Sequence, residues 1–329
     1  MSLDKVAVVG GGAWGTALAQ VAAGKGHETL LWAMEDDVVG AINRIHENPV
    51  YLKGLKLSPA IRATSNFSEL SSCDAWIVVT PAQHMRAVLQ RAPCPNMPLL
   101  LCSKGIEESS GRLLHEVARE VCPTSPIAVL SGPSFAHEVA GGLPTAVTLA
   151  CEDQALAERL RERLSLPAFR IYLSDDVIGA EVGGAIKNVL AIACGIAEGR
   201  QLGQNARAAL IARGFAEMTR FGLDYGARRE TLGGLAGLGD LVLTCSSTSS
   251  RNFSLGKGIG EGRDVTELMA NRATVAEGAF TAPVLARIAR DRGIDMPIVF
   301  AVDELLSGAA SVELTLDQLM TRPPRAEGV

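Results

Sequence analysis

VAVVGGGAWGTALAQVAAGKG, residues 6–26, opens with four apolar residues, passes through Gly10-x-Gly12-x-x-Gly15 and runs on as alanine, leucine and valine. A strand, a glycine turn and a helix in this order form the context in which that spacing carries a mechanism. Gly10 permits the tight turn, Gly12 lets backbone N–H groups approach a ligand, and Gly15 lets the helix pack on the strand. A diphosphate placed there meets free N–H groups and the positive end of the helix dipole. The stretch predicts the first β–turn–α unit of a dinucleotide-binding sheet.

Twenty residues past Gly15, in LLWAMEDDV, Glu35 closes the second apolar run. An acid at that point accepts hydrogen bonds from an adenosine ribose. No arginine lies within the turn to bind a 2′-phosphate, so the residues lean toward NAD over NADP, with Asp36 as the alternative acid.

Outward from this unit the first half keeps alternating short apolar runs with amphipathic stretches. That is the pattern of a parallel sheet covered by helices. Strands are expected at 6–9, 29–33, 75–80, 99–103, 127–131, 145–150 and 169–174, with helices over 112–121 and 153–164. Beyond about residue 176 the strand signal fades, and helices are expected at 177–197, 204–221, 264–271, 281–291, 297–307 and 313–321. Asp264 is the expected cap of one, and Gly222, Gly293 and Gly308 are expected stops. With 329 residues, two domains are the better prior. The expectation is an α/β Rossmann-like, doubly wound, mostly parallel sheet over residues 1–178, followed by an all-α domain over 179–329.

Composition narrows the function classes. A net charge of -5 argues against nucleic-acid and acidic-membrane partners. The seven cysteines are scattered and form no CxxC, so neither a disulfide framework nor a zinc site is expected. The uncharged run from Val6 to Gly24 holds five glycines and reads as strand, turn and helix, not as a membrane span or leader. A reducing cytoplasm is the expected location. No HExxH, GxSxG or Asp-x-Asp-x-Asp pattern is present, which leaves metal, triad and EF-hand chemistry unsupported.

Three further stretches carry chemistry. In LLLCSKGIE (99–107), Lys104 follows an apolar strand, and in open parallel sheets ligands bind beyond the carboxyl ends of strands. The loop SGPSFAHEVAGGLP (131–144) also follows a strand and offers backbone N–H groups and hydroxyls. GGLAGLGDLVLTCSSTSSRNFSLGKG (233–258) reads as a loop in which Asp240 precedes a hydroxyl cluster with Arg251 and Asn252, a set suited to phosphate. Against these stands GGAIKNVLAIACGIAEG (183–199), an apolar helix whose one cation, Lys187, is either an edge residue or a held charge.

Taken in order, GGGAWGT, SKGIE, GPSFA, GGAIKNVLAIACGI, GLAGLGDLVLTC, SSRN and VAEG closely resemble the bacterial NAD(P)-dependent sn-glycerol-3-phosphate dehydrogenases. The resemblance runs from Val6 to about Glu277. It implies a fold like that of 6-phosphogluconate dehydrogenase, NAD(P)H as cofactor, and reversible reduction of dihydroxyacetone phosphate to sn-glycerol 3-phosphate for phospholipid synthesis. Lys187 becomes the proton donor or acceptor. Lys104, Gly132, Ser134, Asp240, Ser250, Arg251 and Asn252 become substrate contacts, with Lys104 and Asp240 also serving catalysis. Ala13, Trp14, Lys104, Ala136, Arg251, Val275 and Glu277 join Gly10, Gly12, Gly15 and Glu35 at the cofactor. One departure matters: members using NADPH commonly carry arginine at the end of the second strand, where this chain reads Ala33-Met34-Glu35. That puts the preference for NADPH in question here.

Hydride transfer to a ketone needs a proton donor in reach of its oxygen. An ordinary lysine gives up its proton near pH 10.4, about three units above neutrality. Apolar surroundings and a second cation, Lys104, would both lower that value, while Asp240 would raise it and orient the ammonium. Gly183 and Gly184, just before Lys187, would leave room for substrate. The alternatives are a related two-domain keto-acid or hydroxy-acid reductase and a non-catalytic dinucleotide sensor. The helical half would also serve a homodimer.

Overall fold

The computed structural model describes residues 3–91, 96–270 and 276–321. The chain divides into two compact units. One comprises Met1–Lys104 with Arg112–Ala180, and the other Gly105–Gly111 with Glu181–Val329.

The first unit is an eight-stranded sheet: β1 (Val6–Val9), β2 (Thr29–Trp32), β3 (Ile61–Thr64), β4 (Ala75–Val78), β5 (Leu99–Leu101), β6 (Ile127–Ser131), β7 (Thr145–Cys151) and β8 (Phe169–Ser174). Their order across the sheet is β3-β2-β1-β4-β5-β6-β7-β8. All neighbours pair in parallel except β6 and β7. Helices α1 (Ala13–Ala22), α2 (Asp36–Ile45), α3 (Ala82–Leu89), α4 (Leu114–Val121), α5 (Ala136–Ala140) and α6 (Gln154–Leu164) alternate with the strands. β1, β2, β4 and β5 are buried at every position, as strands covered on both faces must be, and for that reason they read as unbroken apolar runs. The strand order reverses between β1 and β4, which opens a crevice beyond their carboxyl ends.

Several expected strands extend too far. β2, β4 and β5 stop at Trp32, Val78 and Leu101, because the chain turns out of the sheet toward that crevice. β3 was not expected. It is a four-residue edge strand, IRAT, with an exposed arginine, too short and too polar to stand out.

Among its described residues the second unit is helical: α7 (Val177–Gly199), which begins in the first unit, α8 (Gly203–Asp224), α9 (Arg229–Leu232), α10 (Asp240–Cys245), α11 (Arg251–Gly260), α12 (Val265–Ala270), α13 (Glu277–Arg292), α14 (Pro297–Leu306) and α15 (Val312–Met320). α7 is long and apolar enough to span a membrane, but 94% of its most apolar window is buried in the protein. It is a core helix. A Cβ on Gly195 would collide with the carbonyl of Phe253, and one on Gly256 with the carbonyl of Ile192, so α7 and α11 cross with their backbones in contact.

Three expectations change here. The 233–258 stretch is not a loop: a π-helical turn at Leu235–Gly239 leads into α10, and α11 begins at Arg251. α8 does not stop at Gly222, which lies buried under Leu232; the chain turns at Gly226, with φ 89°. Gly183 packs against the Ala236 carbonyl and Gly237, so its missing side chain serves helix packing and not substrate access. Gly293, at φ 69°, does end α13, and Asp264 does cap α12 through the N–H of Glu267 at 3.0 Å.

Candidate active site

In the first unit the fingerprint glycines have separable causes. Gly10 has φ 128°, a region that disfavours side chains. A Cβ on Gly15 would run into the Gly10 carbonyl, so α1 can lie this close to β1 only with glycine there. At Gly12 an added Cβ would meet nothing within 4 Å. The protein itself has no steric need for glycine at that point, whereas a ligand approaching the helix start does. Gly12 is also the N-cap of α1 and supplies no side-chain cap, which leaves the first N–H groups, near Ala13 and Trp14, to bind an anion.

Glu35 is the exposed N-cap of α2. Its Oε1 accepts a hydrogen bond from Tyr51 Oη at 2.8 Å. That bond, followed by partial burial, raises the Tyr51 phenol above its usual range. Tyr51 in turn donates its backbone N–H to Asn48, whose buried amide donates to the Gly11 carbonyl and to Thr16. A hydrogen-bonded chain therefore fixes the acidic residue relative to the glycine turn. Sequence reading missed Tyr51 and Asn48, since the irregular stretch that carries them shows no periodic signal.

Beyond β5, Lys104 is half-buried and its Nζ lies 3.5 Å from the Gly132 carbonyl, which also accepts from Ser134 Oγ at 2.9 Å. Lys104, Gly132 and Ser134 thus come together at the carboxyl ends of β5 and β6. Ala136 opens α5 just after them.

In the second unit Lys187 is a held charge. Its Nζ donates to Asp240 Oδ1 at 2.6 Å and to Thr244 Oγ1 at 3.0 Å. The Asp240 side chain is 1% exposed and that of Lys187 9%. α7 presents the lysine, and the first and second turns of α10 present Asp240 and Thr244. Thr244 was missed, although it stands four residues after Asp240, the spacing that puts both on one helix face.

The next residue, Asn188, accepts from Asn252 Nδ2 at 3.0 Å, and Asn252 Oδ1 accepts the Gly278 N–H at 2.8 Å. This buried link joins the segment after Lys187 to the starts of α11 and α13, which carry Arg251 and Glu277. Arg251 is exposed and forms no ion pair among the described residues, and it sits at a helix N-terminus. Ser250 caps that helix, accepting the Phe253 N–H at 3.2 Å. Val275 lies outside the described residues.

Comparison with known proteins follows the same division. Residues 5–157 match the family model described as NAD-dependent glycerol-3-phosphate dehydrogenase N-terminus, and residues 176–317 match that of its C-terminus. A protein of Erythrobacter litoralis named glycerol-3-phosphate dehydrogenase (NAD(P)+) is 62% identical, with 98% of each chain covered. One of the same name from Novosphingobium aromaticivorans is 60% identical, again over 98% of each. The crystal structure of the glycerol-3-phosphate dehydrogenase of Coxiella burnetii matches with a TM-score of 0.92 at 38% identity, covering 97% of this chain and 99% of that one. The chain belongs to the NAD-dependent glycerol-3-phosphate dehydrogenase family.

Proposed function

We propose that this protein reversibly reduces dihydroxyacetone phosphate to sn-glycerol 3-phosphate with NAD(P)H, in the cytoplasm and as a homodimer, supplying glycerophospholipid synthesis. The observation that carries this reading is the buried Lys187–Asp240–Thr244 cluster, tied through Asn188 and Asn252 to Arg251 at a helix N-terminus. A proton-bearing ammonium and an anion-binding helix start are what a phosphorylated ketone requires.

The bound nicotinamide supplies or accepts the hydride. Gly10, Gly12, Gly15, Ala13 and Trp14 hold its diphosphate, and Glu35, oriented by Tyr51, accepts from the adenosine ribose. That arrangement favours NADH over NADPH. Ala136, Glu277, Val275 and Arg251 complete the cofactor contacts.

Lys187 gives its proton to the oxygen that becomes the secondary alcohol and takes it back in reverse. Asp240 and Thr244 fix the direction of that ammonium. Arg251, Asn252 and Ser250 take the phosphate, whose binding energy positions the carbonyl. Asn252 spends one of its two Nδ2 hydrogens on Asn188, which leaves the other for this purpose. The family resemblance adds Lys104, Gly132 and Ser134 as substrate contacts. A substrate panel tests the reading: turnover of dihydroxyacetone phosphate, with none of unphosphorylated keto acids, supports it. The reverse pattern points to a keto-acid reductase, and no turnover at all points to a sensor.

A further inference from the structure

The peptide between Gly11 and Gly12 has a glycine on each side, so its flanks do little to resist rotation. Its orientation nevertheless decides whether an N–H or a carbonyl meets a diphosphate at the start of α1. The peptide is trans, which sets the Gly11 carbonyl and the Gly12 N–H on opposite edges of one plane. That carbonyl accepts from Asn48 Nδ2 at 2.9 Å and from Thr16 Oγ1 at 3.3 Å. On the other edge the Gly12 N–H donates to no acceptor among the described residues.

Asn48 is 0% exposed, and both ends of its amide are engaged. Oδ1 accepts the Tyr51 N–H at 3.1 Å, so the nitrogen end must face the turn. Nδ2 spends its two hydrogens on the Gly11 carbonyl and, at 2.8 Å, on Thr16 Oγ1. The backbone of Asn48 is tied down as well, its carbonyl accepting the Leu52 N–H at 3.0 Å.

We propose that Asn48 is a positioning residue for the dinucleotide, which holds the Gly11 carbonyl inward and so aims the Gly12 N–H at the diphosphate. Without that hold the peptide turns over at small cost, because glycine populates both signs of φ. A carbonyl then opposes the anion where a donor should be. A hydrogen bond to a charged group is worth about ten- to a hundredfold in affinity. Asn48 touches no part of the cofactor and acts through Gly12. The inference rests on the diphosphate placement proposed above.

The test is Asn48→Asp in the whole protein. An ionised carboxylate keeps an oxygen for the Tyr51 N–H, and with it the arm that leads to Glu35, but has no hydrogen for the Gly11 carbonyl. Fluorescence titration should show NADH and NADPH both bound at least tenfold more weakly, with the ratio of their affinities within twofold of wild type. In turnover the KM for NADH should rise by a similar factor, while kcat at saturating NADH and the KM for dihydroxyacetone phosphate stay within about threefold, the pattern of lost cofactor binding. A merely structural role would lower the melting temperature and kcat and leave the KM for NADH in place, which would overturn the proposal. A shifted NADH to NADPH ratio without general weakening would overturn it too. Where Asn48→Asp fails to fold, Thr16→Val removes the second donor to the same carbonyl, and NADH affinity should fall at least threefold; unchanged affinity overturns the proposal. Gly12→Ala, titrated alongside, separates the two readings. If it weakens NADH binding and Asn48→Asp does not, the role of Asn48 fails and the diphosphate placement stands. If neither variant weakens binding, the placement itself fails.

Discussion

Lys187 Nζ lies 2.6 Å from Asp240 Oδ1, with both side chains shut away from solvent. The finding removes the snorkelling reading of an apolar helix with one cation. α7 has no need to expose its lysine, because α10 supplies the counter-charge and a hydroxyl.

A buried pair stripped of one partner leaves an uncompensated charge, at a cost of about 3–5 kcal/mol. Asp240→Ala is expected to lose about that much unfolding free energy in denaturant titrations. The double variant Lys187→Met, Asp240→Leu is expected to recover most of it while remaining inactive. A double variant no more stable than Asp240→Ala would mean that stability does not depend on the pair.

The fingerprint glycines separate in the same way. Gly15→Ala drives a methyl into the Gly10 carbonyl, so it lowers the melting temperature and the affinity for dinucleotide together. Gly12→Ala meets open space. It should change stability by no more than about 1 kcal/mol, the usual scale of an N-cap change, yet weaken NADH binding at least tenfold by fluorescence titration. Unchanged NADH affinity in Gly12→Ala would remove the diphosphate from this turn.

Glu35, held by Tyr51, should set cofactor choice. Glu35→Arg is expected to move the ratio of kcat/KM for NADH over NADPH by tenfold or more toward NADPH, and Tyr51→Phe to move it less in the same direction. A wild-type enzyme that already prefers NADPH would refute this assignment.

Glu217 predicts how stability varies with pH. Buried on α8, it accepts the N–H groups of Ile298 and Val299 at the start of α14, at 2.8 and 3.2 Å. Burial pushes its carboxyl from the usual 4.5 up to about 7, against the opposing pull of those bonds and of Arg220. Between these values the folded chain keeps a proton that the unfolded chain releases. Its contribution is therefore fully present below about pH 4.5 and is lost as pH rises through about 7, by at most about 3 kcal/mol. Glu217→Gln should flatten this fall, as chemical denaturation at pH 5 and pH 8 will show. An equal fall in the variant would assign the effect to other groups.

Much of this was legible in residues 6–26, because one short segment carries both the strand-to-helix geometry and the reason for its glycines. Local pattern left Lys187 and Asp240 as separate candidates, since they lie 53 residues apart; the family resemblance brought them together, with Asp240 expected to orient the ammonium. α10 and α11 were read as loop because Gly237, Gly239, Gly256, Gly258 and Gly260 depress helix propensity. The tertiary contact that makes Gly256 favourable, a carbonyl of α7 against its bare Cα, has no local signature. Asn188, Thr244 and Tyr51 were missed for the same reason: each acts through a partner distant in sequence.

The central claim is that Lys187 moves the proton in dihydroxyacetone phosphate reduction. Its most direct test is steady-state turnover of that ketone by wild-type protein and by Lys187→Ala, with NADH and NADPH in parallel and dinucleotide binding measured on the same samples. The account predicts wild-type turnover, a fall of about 10²- to 10⁴-fold in the variant, and retained dinucleotide affinity. A folded Lys187→Ala protein that turns over at near the wild-type rate would contradict it.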